Sequence, residues 1–307
     1  MACAGRLWMQ GLPMGIFDVD DTRPALSVVI PAFNEESRIH VTLMDAVQEF
    51  RSRFAGCWEL IVVDDGSGDQ TSAVVREFAA QCPELILISH QTNQGKGAAV
   101  RTGVLASRGN MVLFADADNA TPFVEFDPLN KAAHEGAAIA CGSRYGIAPG
   151  QVRRSGVRRL MASLFSALAR WIVRPGVSDT QCGFKLFQGG TARSLFQDSF
   201  ETGYLFDLEI LGMASHRGLV VAEVPVKWRE VSGSRVRLFR DSWKMFCGLF
   251  RVRSRMRQRV ALSSAQPLSR ETGVGEQPQL DARSPSDLNR LNPAAGGVRS
   301  ISAGASH

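Results

Sequence analysis

The sequence predicts an α/β fold, a Rossmann-like and mostly parallel sheet flanked by helices, and two features carry the prediction. Between Leu26 and about Gly142, apolar bursts alternate with helix-length segments, which is the rhythm of βαβ units. The bursts are also continuous rather than alternating with polar residues, as strands covered by helices on both faces require. "LSVVIP", "WELIVVDD", "ELILIS", "MVLFADAD" and "GAAIACGS" are the strands so assigned, giving a doubly wound arrangement.

After Tyr145 the pattern changes. "GIAPGQVRRSG" reads as a loop, punctuated by Gly, Pro and Ser. Val157, Leu160, Met161, Leu164, Phe165, Leu168, Trp171 and Ile172 then fall on one helical stripe that ends near Pro175. "DTQCGFKLF" follows with no element assigned, then a helix through "FDLEILGMASHRG" and a strand "LVVAEVPV". From Arg235 the chain is strongly basic, and Met245, Leu249, Val252 and Met256 share a helical face with Arg253 and Arg257 at its edge. Beyond Leu262 a stretch rich in Ser, Gly, Pro, Gln and Asn offers little to bury and reads as a disordered tail. The expected organisation is an N-terminal extension (1–24), one α/β domain (25–240), an amphipathic basic helix (241–262) and the tail (263–307).

Composition narrows the class. The 307 residues are 45% hydrophobic and 21% charged, ordinary for a globular chain with one large core. A net charge of +5 favours an anionic partner, which nucleic acid, a phosphate-bearing substrate or an acidic membrane would each satisfy. The six cysteines are widely spaced, with no CxxC pair, and read as reduced thiols of a cytosolic protein rather than disulfides or a zinc site. No uncharged apolar run reaches the length of a membrane span, and the N-terminus lacks the order of a signal peptide.

In open α/β sheets ligands bind beyond the carboxyl ends of the strands, so polar residues there are the candidates. "PAFNEE", "VDDGSGD" and "DADNAT" place Glu35, Asp64, Asp65, Asp116 and Asp118 on one rim. Converging carboxylates repel unless a cation or a donor-rich ligand sits among them. Mg²⁺ or Mn²⁺ meets that need, because these hard ions share one or two carboxylates with substrate phosphates. For an isolated D-x-D a turn or N-cap role competes, but three strand ends together favour the ligand. Asp69 reads as an N-cap before "QTSAVVREF". "NQGKGAAVRTG" matches neither the Walker pattern nor a dinucleotide fingerprint; a tight turn before a helix carrying Lys96 and Arg101, and a role beside a nucleotide, both stay open.

Taken in order, "VVIPAFNEE", "IVVDDGSGDQT", "NQGKGAAVRTG", "FADADNATP", "GSRY", "DTQCGFKLF", "EVPVKWRE" and "GSRVRLFRDSW" resemble the family 2 glycosyltransferases of GT-A fold, specifically the polyprenyl-phosphate (dolichyl-phosphate) glucosyl and mannosyl synthases. The resemblance runs from about Leu26 to Arg255. It implies a nucleotide-sugar pocket of Pro31, Phe33, Glu35 and Asp65, with Asp65 accepting a hydrogen bond from the base and Asp64, Lys96, Arg101 and Ala117 beside it. Asp116 and Asp118 would be the metal and diphosphate residues, and Arg144, Arg229 and Arg235 the phosphate contacts. The mannosyl synthases often carry Gln where this chain has Ala120, which brings "DADNAT" closer to the glucosyl branch.

Asp179 sits where the superfamily places a catalytic carboxylate, with Asp118 as the other catalytic candidate; an N-cap or a salt bridge to an Arg is the competing role for Asp179. A phosphate acceptor is already anionic at neutral pH and needs no strong base. Arg153, Arg154, Arg158 and Arg159 would grip that acceptor phosphate, against the plainer role of a solvated basic face. The expected activity is an inverting, metal-dependent transfer of a hexose, glucose from UDP-glucose, to a dolichyl or undecaprenyl phosphate. The segment from Trp243 to Arg259 would rest on the cytoplasmic face of an anionic membrane as a peripheral anchor. A GDP-mannose-dependent mannosyltransferase and a soluble transferase with a glycan acceptor are the enzyme alternatives. A nucleic-acid-binding protein is the third reading, but it leaves the carboxylate rim unexplained and lacks a recognition motif.

Overall fold

The computed structural model describes residues 23–144, 176–231 and 248–255. The elements in order are β1 (Leu26–Ala32), α1 (Ile39–Phe54), β2 (Trp58–Asp64), α2 (Thr71–Ala79), β3 (Leu85–Ser89), α3 (Lys96–Ala106) and β4 (Met111–Ala115). A 3₁₀ turn (Phe123–Glu125) then leads into α4 (Phe126–His134), followed by β5 (Ile139–Ser143), β6 (Phe184–Gln188), α5 (Gly189–Asp198), α6 (Phe206–His216) and β7 (Val221–Pro225). Residues 248–255 form a further helical stretch.

The strands make one seven-stranded sheet in the order β3-β2-β1-β4-β6-β5-β7. β1 pairs in parallel with β2 and β4, β2 with β3, and β5 with β7, while β6 runs antiparallel to both β4 and β5. The sheet is therefore mixed and mostly parallel. β1 and β2 are buried at every position, as strands covered on both faces are. Val28 and Ile30 of β1 enter one core with Ile39, Leu43 and Phe50 of α1, Val75 of α2 and Leu129 of α4. Val29 points into the opposite core with Val100 and Val104 of α3, Leu195 of α5 and Ile210 of α6. Helices thus cover both faces, and the α/β expectation holds.

Two elements escape the sequence reading, β6 and α5. "FKLFQ" is only five residues long and carries a lysine among apolar neighbours, so nothing local marks it as buried. Lys185 is nevertheless 1% exposed, because Asp207 at the start of α6 pairs with it at 2.7 Å. Asp69 also differs from expectation: Gln70 holds the N-cap position of α2, and Asp69, one residue earlier, accepts the Thr71 amide at 3.0 Å. The expected loop and helix between Tyr145 and Pro175, residues 1–22 of the N-terminal extension, and the tail lie outside the described residues. Of the basic segment, residues 248–255 are helical, and Leu249 and Val252 are fully buried. That apolar face packs on the protein: a Cβ at Gly248 would meet Leu205 Cδ1 at 2.2 Å.

Candidate functional site

β2 and β3 lie on one side of β1 and β4 lies on the other, so the crevice beyond the carboxyl ends of β1 and β4 is the topological switch point where open α/β sheets bind ligands. The rim is built by loops that brace one another. Asn34 adopts a left-handed backbone, φ 54°; its amide donates to Ser67 Oγ at 2.8 Å and its Oδ1 accepts the Gly68 amide at 2.8 Å. The Glu35 amide donates to Thr71 Oγ1 at 2.7 Å, and the Glu35 carboxylate accepts two hydrogen bonds from the Arg38 guanidinium. Asp64 Oδ1 accepts the Ser67 amide at 3.1 Å. Phe33 stands at the rim with 38% of its surface exposed, whereas Pro31 is buried within β1.

Asp65 is 2% exposed and fully engaged. Its Oδ1 takes His90 Nδ1 at 2.7 Å and the Gln94 amide at 2.9 Å; its Oδ2 takes Asn93 Nδ2 at 3.0 Å and the Gly95 amide at 2.8 Å. Asp65 therefore organises the 90–95 turn, with two contacts at each carboxylate oxygen. The backbone of residue 202 closes on this turn as well. The Ala98 amide donates to Thr202 O at 3.2 Å, and Gly95, at φ 106°, lies so close to Thr202 that a Cβ would sit 2.4 Å from its carbonyl oxygen.

Beyond β4, Asp116 Oδ1 lies 2.7 Å from Lys96 Nζ but accepts no well-aligned hydrogen bond, although it is buried. The Asp116 amide donates to Gly183 O at 3.0 Å. Gly183 is pressed against the carboxylate: a Cβ there would fall 2.0 Å from Asp116 Oδ2. Asp118 Oδ1 accepts the Ala120 amide at 3.0 Å. Burial and the charge of Asp116 push the Asp118 carboxyl above its usual value. Burial disfavours the Lys96 ammonium, yet Asp116, Asp207 and Asp118 outweigh it and raise its pKa. A second buried acceptor, Asn119 Oδ1, has no hydrogen-bond partner, and Asn119 is held at φ 51°.

Asp118 and Asn119 open onto a pocket of about 320 Å³ lined also by Arg38, Val41, Arg229 and Glu230. Arg229 is anchored there by its amide to Ala120 O at 2.9 Å and its Nε to Asn119 O at 3.3 Å. Among the described residues no three His, Cys, Asp or Glu side chains converge as a ready-made metal cage. Two carboxylates beside an orphaned buried oxygen do fit a hard divalent ion that draws its remaining ligands from a diphosphate.

Asp179, 3% exposed, is locked to Arg144. Arg144 donates its amide and Nε to Oδ2 at 2.9 and 2.8 Å and Nη2 to Oδ1 at 2.7 Å. Burial pushes this carboxyl up, but the Arg144 guanidinium outweighs it and holds the pKa below the usual carboxylate range. Glu223 of β7 supports the pair from behind, accepting the Asp179 amide at 3.0 Å and the Ser178 amide at 2.8 Å. The Arg144 guanidinium also lies 5.7 Å from the Trp228 ring.

The structure moves two expected residues away from the crevice. Arg101 donates Nε to Phe196 O at 2.9 Å, so it closes the last turn of α5 rather than facing a nucleotide. The Ala117 side chain, 6% exposed, belongs to the core, and its carbonyl accepts Thr42 Oγ1 at 2.7 Å. Arg153, Arg154, Arg158, Arg159 and Arg235 lie outside the described residues. Arg38, Asn119, Gly183 and the Lys185–Asp207 pair were not anticipated. Only Arg38 carried a local signal, its i,i+3 spacing from Glu35.

Residues 27–196 match the family described as Glycosyl transferase family 2. The chain is 36% identical to a dolichyl-phosphate beta-glucosyltransferase of Dictyostelium discoideum over 242 residues, 75% of this chain and 74% of the relative. It is 37% identical to the Homo sapiens dolichyl-phosphate beta-glucosyltransferase over 230 residues, 71% of each. Among solved structures, glucosyl-3-phosphoglycerate synthase from Mycobacterium tuberculosis, in complex with Mn²⁺, uridine diphosphate and glucosyl-3-phosphoglycerate, superposes with a TM-score of 0.58 at 22% identity, covering 75% of this chain and 80% of that one. Mannosyl-3-phosphoglycerate synthase from Rubrobacter xylanophilus gives a TM-score of 0.55 at 21% identity, with 82% and 78% covered. At these identities the solved structures bear on the fold.

Proposed function

The chain belongs to glycosyl transferase family 2, and from that premise we propose that it transfers glucose, with inversion, from UDP-glucose to the phosphate of a polyprenol. The carrying observation is the similarity to dolichyl-phosphate beta-glucosyltransferases across about three quarters of the chain. The crevice supports it chemically, with Asp116, Asp118 and Lys96 at one strand end and Arg229 beside them. The switch-point position of these groups and the superpositions support a GT-A assignment for the fold.

In this mechanism an anionic oxygen of the acceptor phosphate attacks the anomeric carbon from the face opposite the nucleotide. The bond between that carbon and the β-phosphate oxygen breaks, its electron pair leaves with UDP, and the configuration inverts. Attack needs no strong base because the acceptor is already ionised, which suits an Asp179 that Arg144 keeps deprotonated and occupied. Asp179 then orients Arg144. Lys96 and Arg229 offset negative charge on the departing diphosphate, the electrostatic contribution that dominates many transferases. Asp116 and Asp118 would hold Mg²⁺ or Mn²⁺, which when bound supplies a Lewis acid for that leaving group. Phe33 offers an open aromatic face for the base.

A polyprenyl-phosphate acceptor requires the enzyme to work at a membrane surface, and our reading puts it on the cytoplasmic face. Among the described residues no helix is long and apolar enough to cross a bilayer, and the half-exposed Phe250, beside Arg251 and Arg255 that also engage Glu201 and Phe200, supports peripheral contact with anionic lipid. Truncation at Ser242 should abolish co-sedimentation with anionic liposomes; unchanged binding refutes the surface contact. The catalytic assay incubates purified protein with Mg²⁺ or Mn²⁺, dolichyl or undecaprenyl phosphate, and labelled UDP-glucose or GDP-mannose. Label entering the organic phase from UDP-glucose is expected. Transfer from GDP-mannose alone, or none from either donor, refutes the assignment.

A further inference from the structure

Beneath the crevice lies a charge pair that the reaction as written does not use. Lys185 and Asp207 are 1% and 5% exposed at their side chains and meet at 2.7 Å. Taking two ions out of water is costly, and a well-packed apolar pair of the same volume would often be as stable. Their surroundings point elsewhere than stability. Lys185 Nζ also donates to Cys182 O, and the next residue, Gly183, supplies the carbonyl that accepts the Asp116 amide at 3.0 Å. Gly183 further abuts the Asp116 carboxylate. Lys185 therefore fixes the backbone ledge on which Asp116 rests.

Asp207 acts on the same carboxylate through Lys96. After Asp116 it is the next strongest negative charge acting on Lys96, and Lys96 is the cation on Asp116 Oδ1. The Phe114 ring lies under both ammonium groups, 5.4 Å from Lys96 Nζ and 5.7 Å from Lys185 Nζ. Asp116, Lys96, Asp207 and Lys185 thus form a neutral series of alternating charge that runs from the crevice floor to the base of α6. Were Asp116 to hold a divalent ion, Lys96 would share its first partner with that ion and would still have the negative charge of Asp207. We infer that Lys185 and Asp207 are positioning residues, which set Asp116 through the 182–183 backbone and Lys96 through charge. This inference rests on the proposed donor site.

The test replaces both members with apolar residues, Lys185→Met with Asp207→Leu, so that no orphaned ion remains. The double variant should melt no lower than the wild type, while Mn²⁺–UDP affinity, read by calorimetry and by the manganese resonance spectrum, and kcat each fall by about 10–100-fold, the usual cost of losing a supporting partner. A folded double variant with wild-type affinity and kcat overturns the inference. Should it not fold, Lys185→Met with Asp207→Asn, which keeps the size of the second side chain and again leaves no orphaned ion, decides by the same two readouts. Asp116→Ala separates the two levels of argument. If it leaves Mn²⁺–UDP binding unchanged, the donor site itself is misplaced; if it abolishes binding while the pair variants keep wild-type affinity and kcat, only the positioning role fails.

Discussion

Gly183→Ala tests the crevice with one methyl group. The added Cβ would lie 2.0 Å from Asp116 Oδ2 and 2.2 Å from its Cγ, against an ordinary contact of at least 3.4 Å. The carboxylate must therefore retreat by about 1.4 Å, the difference between 3.4 and 2.0 Å. Because it is the end of a side chain that can rotate, the cost to stability stays small, about 1–2 kcal/mol of overpacking. Function has no such tolerance: misplacing a binding group by about 1 Å costs about 100-fold. Gly183→Ala should thus lower kcat of the glucosyl transfer by about 100-fold and weaken Mn²⁺–UDP binding, with the melting temperature down by only a few degrees. In an Asp116→Ala background the atoms the methyl group meets are gone, so the added destabilisation should vanish in a double-mutant cycle. Wild-type turnover in Gly183→Ala, or the same destabilisation with and without Asp116, would refute the reasoning.

Asp65→Ala strips four donors of their acceptor and should destabilise the protein by at least about 2 kcal/mol; a raised donor KM with unchanged urea unfolding would instead make Asp65 a base contact alone. Arg101→Ala should leave donor KM within about twofold and cost about 1 kcal/mol through the lost contact to Phe196 O, and a large KM effect would return Arg101 to the pocket. Acid unfolding should report on Asp179 and Glu223. Burial would raise both carboxyls, but Arg144 at Asp179, and the Ser178 and Asp179 amides with Ser143 Oγ at Glu223, depress them instead. Depressed groups stabilise fully above their unfolded pKa of about 4 and lose that contribution as pH falls through the folded value. Glu223→Gln should therefore lower stability at pH 7 and flatten the decline below about pH 4; identical acid limbs would refute this.

The parts of the molecule that were legible in the sequence are those whose cause is local. Five apolar runs and "LVVAEVPV" read as strands because each is continuous and bounded by turn residues. The rim of Asp64, Asp65, Asp116 and Asp118 followed from strand ends alone. The rest depends on partners far along the chain. Lys185 breaks the β6 pattern until Asp207 neutralises it 22 residues later. Asp65 looks like a ligand-binding carboxylate until residues 90–95 fold back onto it. Arg101 shares the α3 sequence with Lys96, but nothing in that helix shows that Phe196 waits opposite it.

The antiparallel β6 bears on how the protein comes to exist as well as on what it binds. β5 and β7 join the sheet only through β6, which is wedged between β4 and β5. Its pairing of Phe184 with Ala115 closes a loop of about 70 residues, a step of high entropic cost. The first four strands can pair without it, but the ledge under Asp116 cannot form until that closure occurs. Donor binding should therefore require that closure, and in pulsed hydrogen exchange the amides of β6 should gain protection no earlier than those of β1 and β2. A nascent or partly unfolded chain would hold most of its sheet and still be unable to bind nucleotide sugar, so that catalysis begins only in a molecule whose two halves have met.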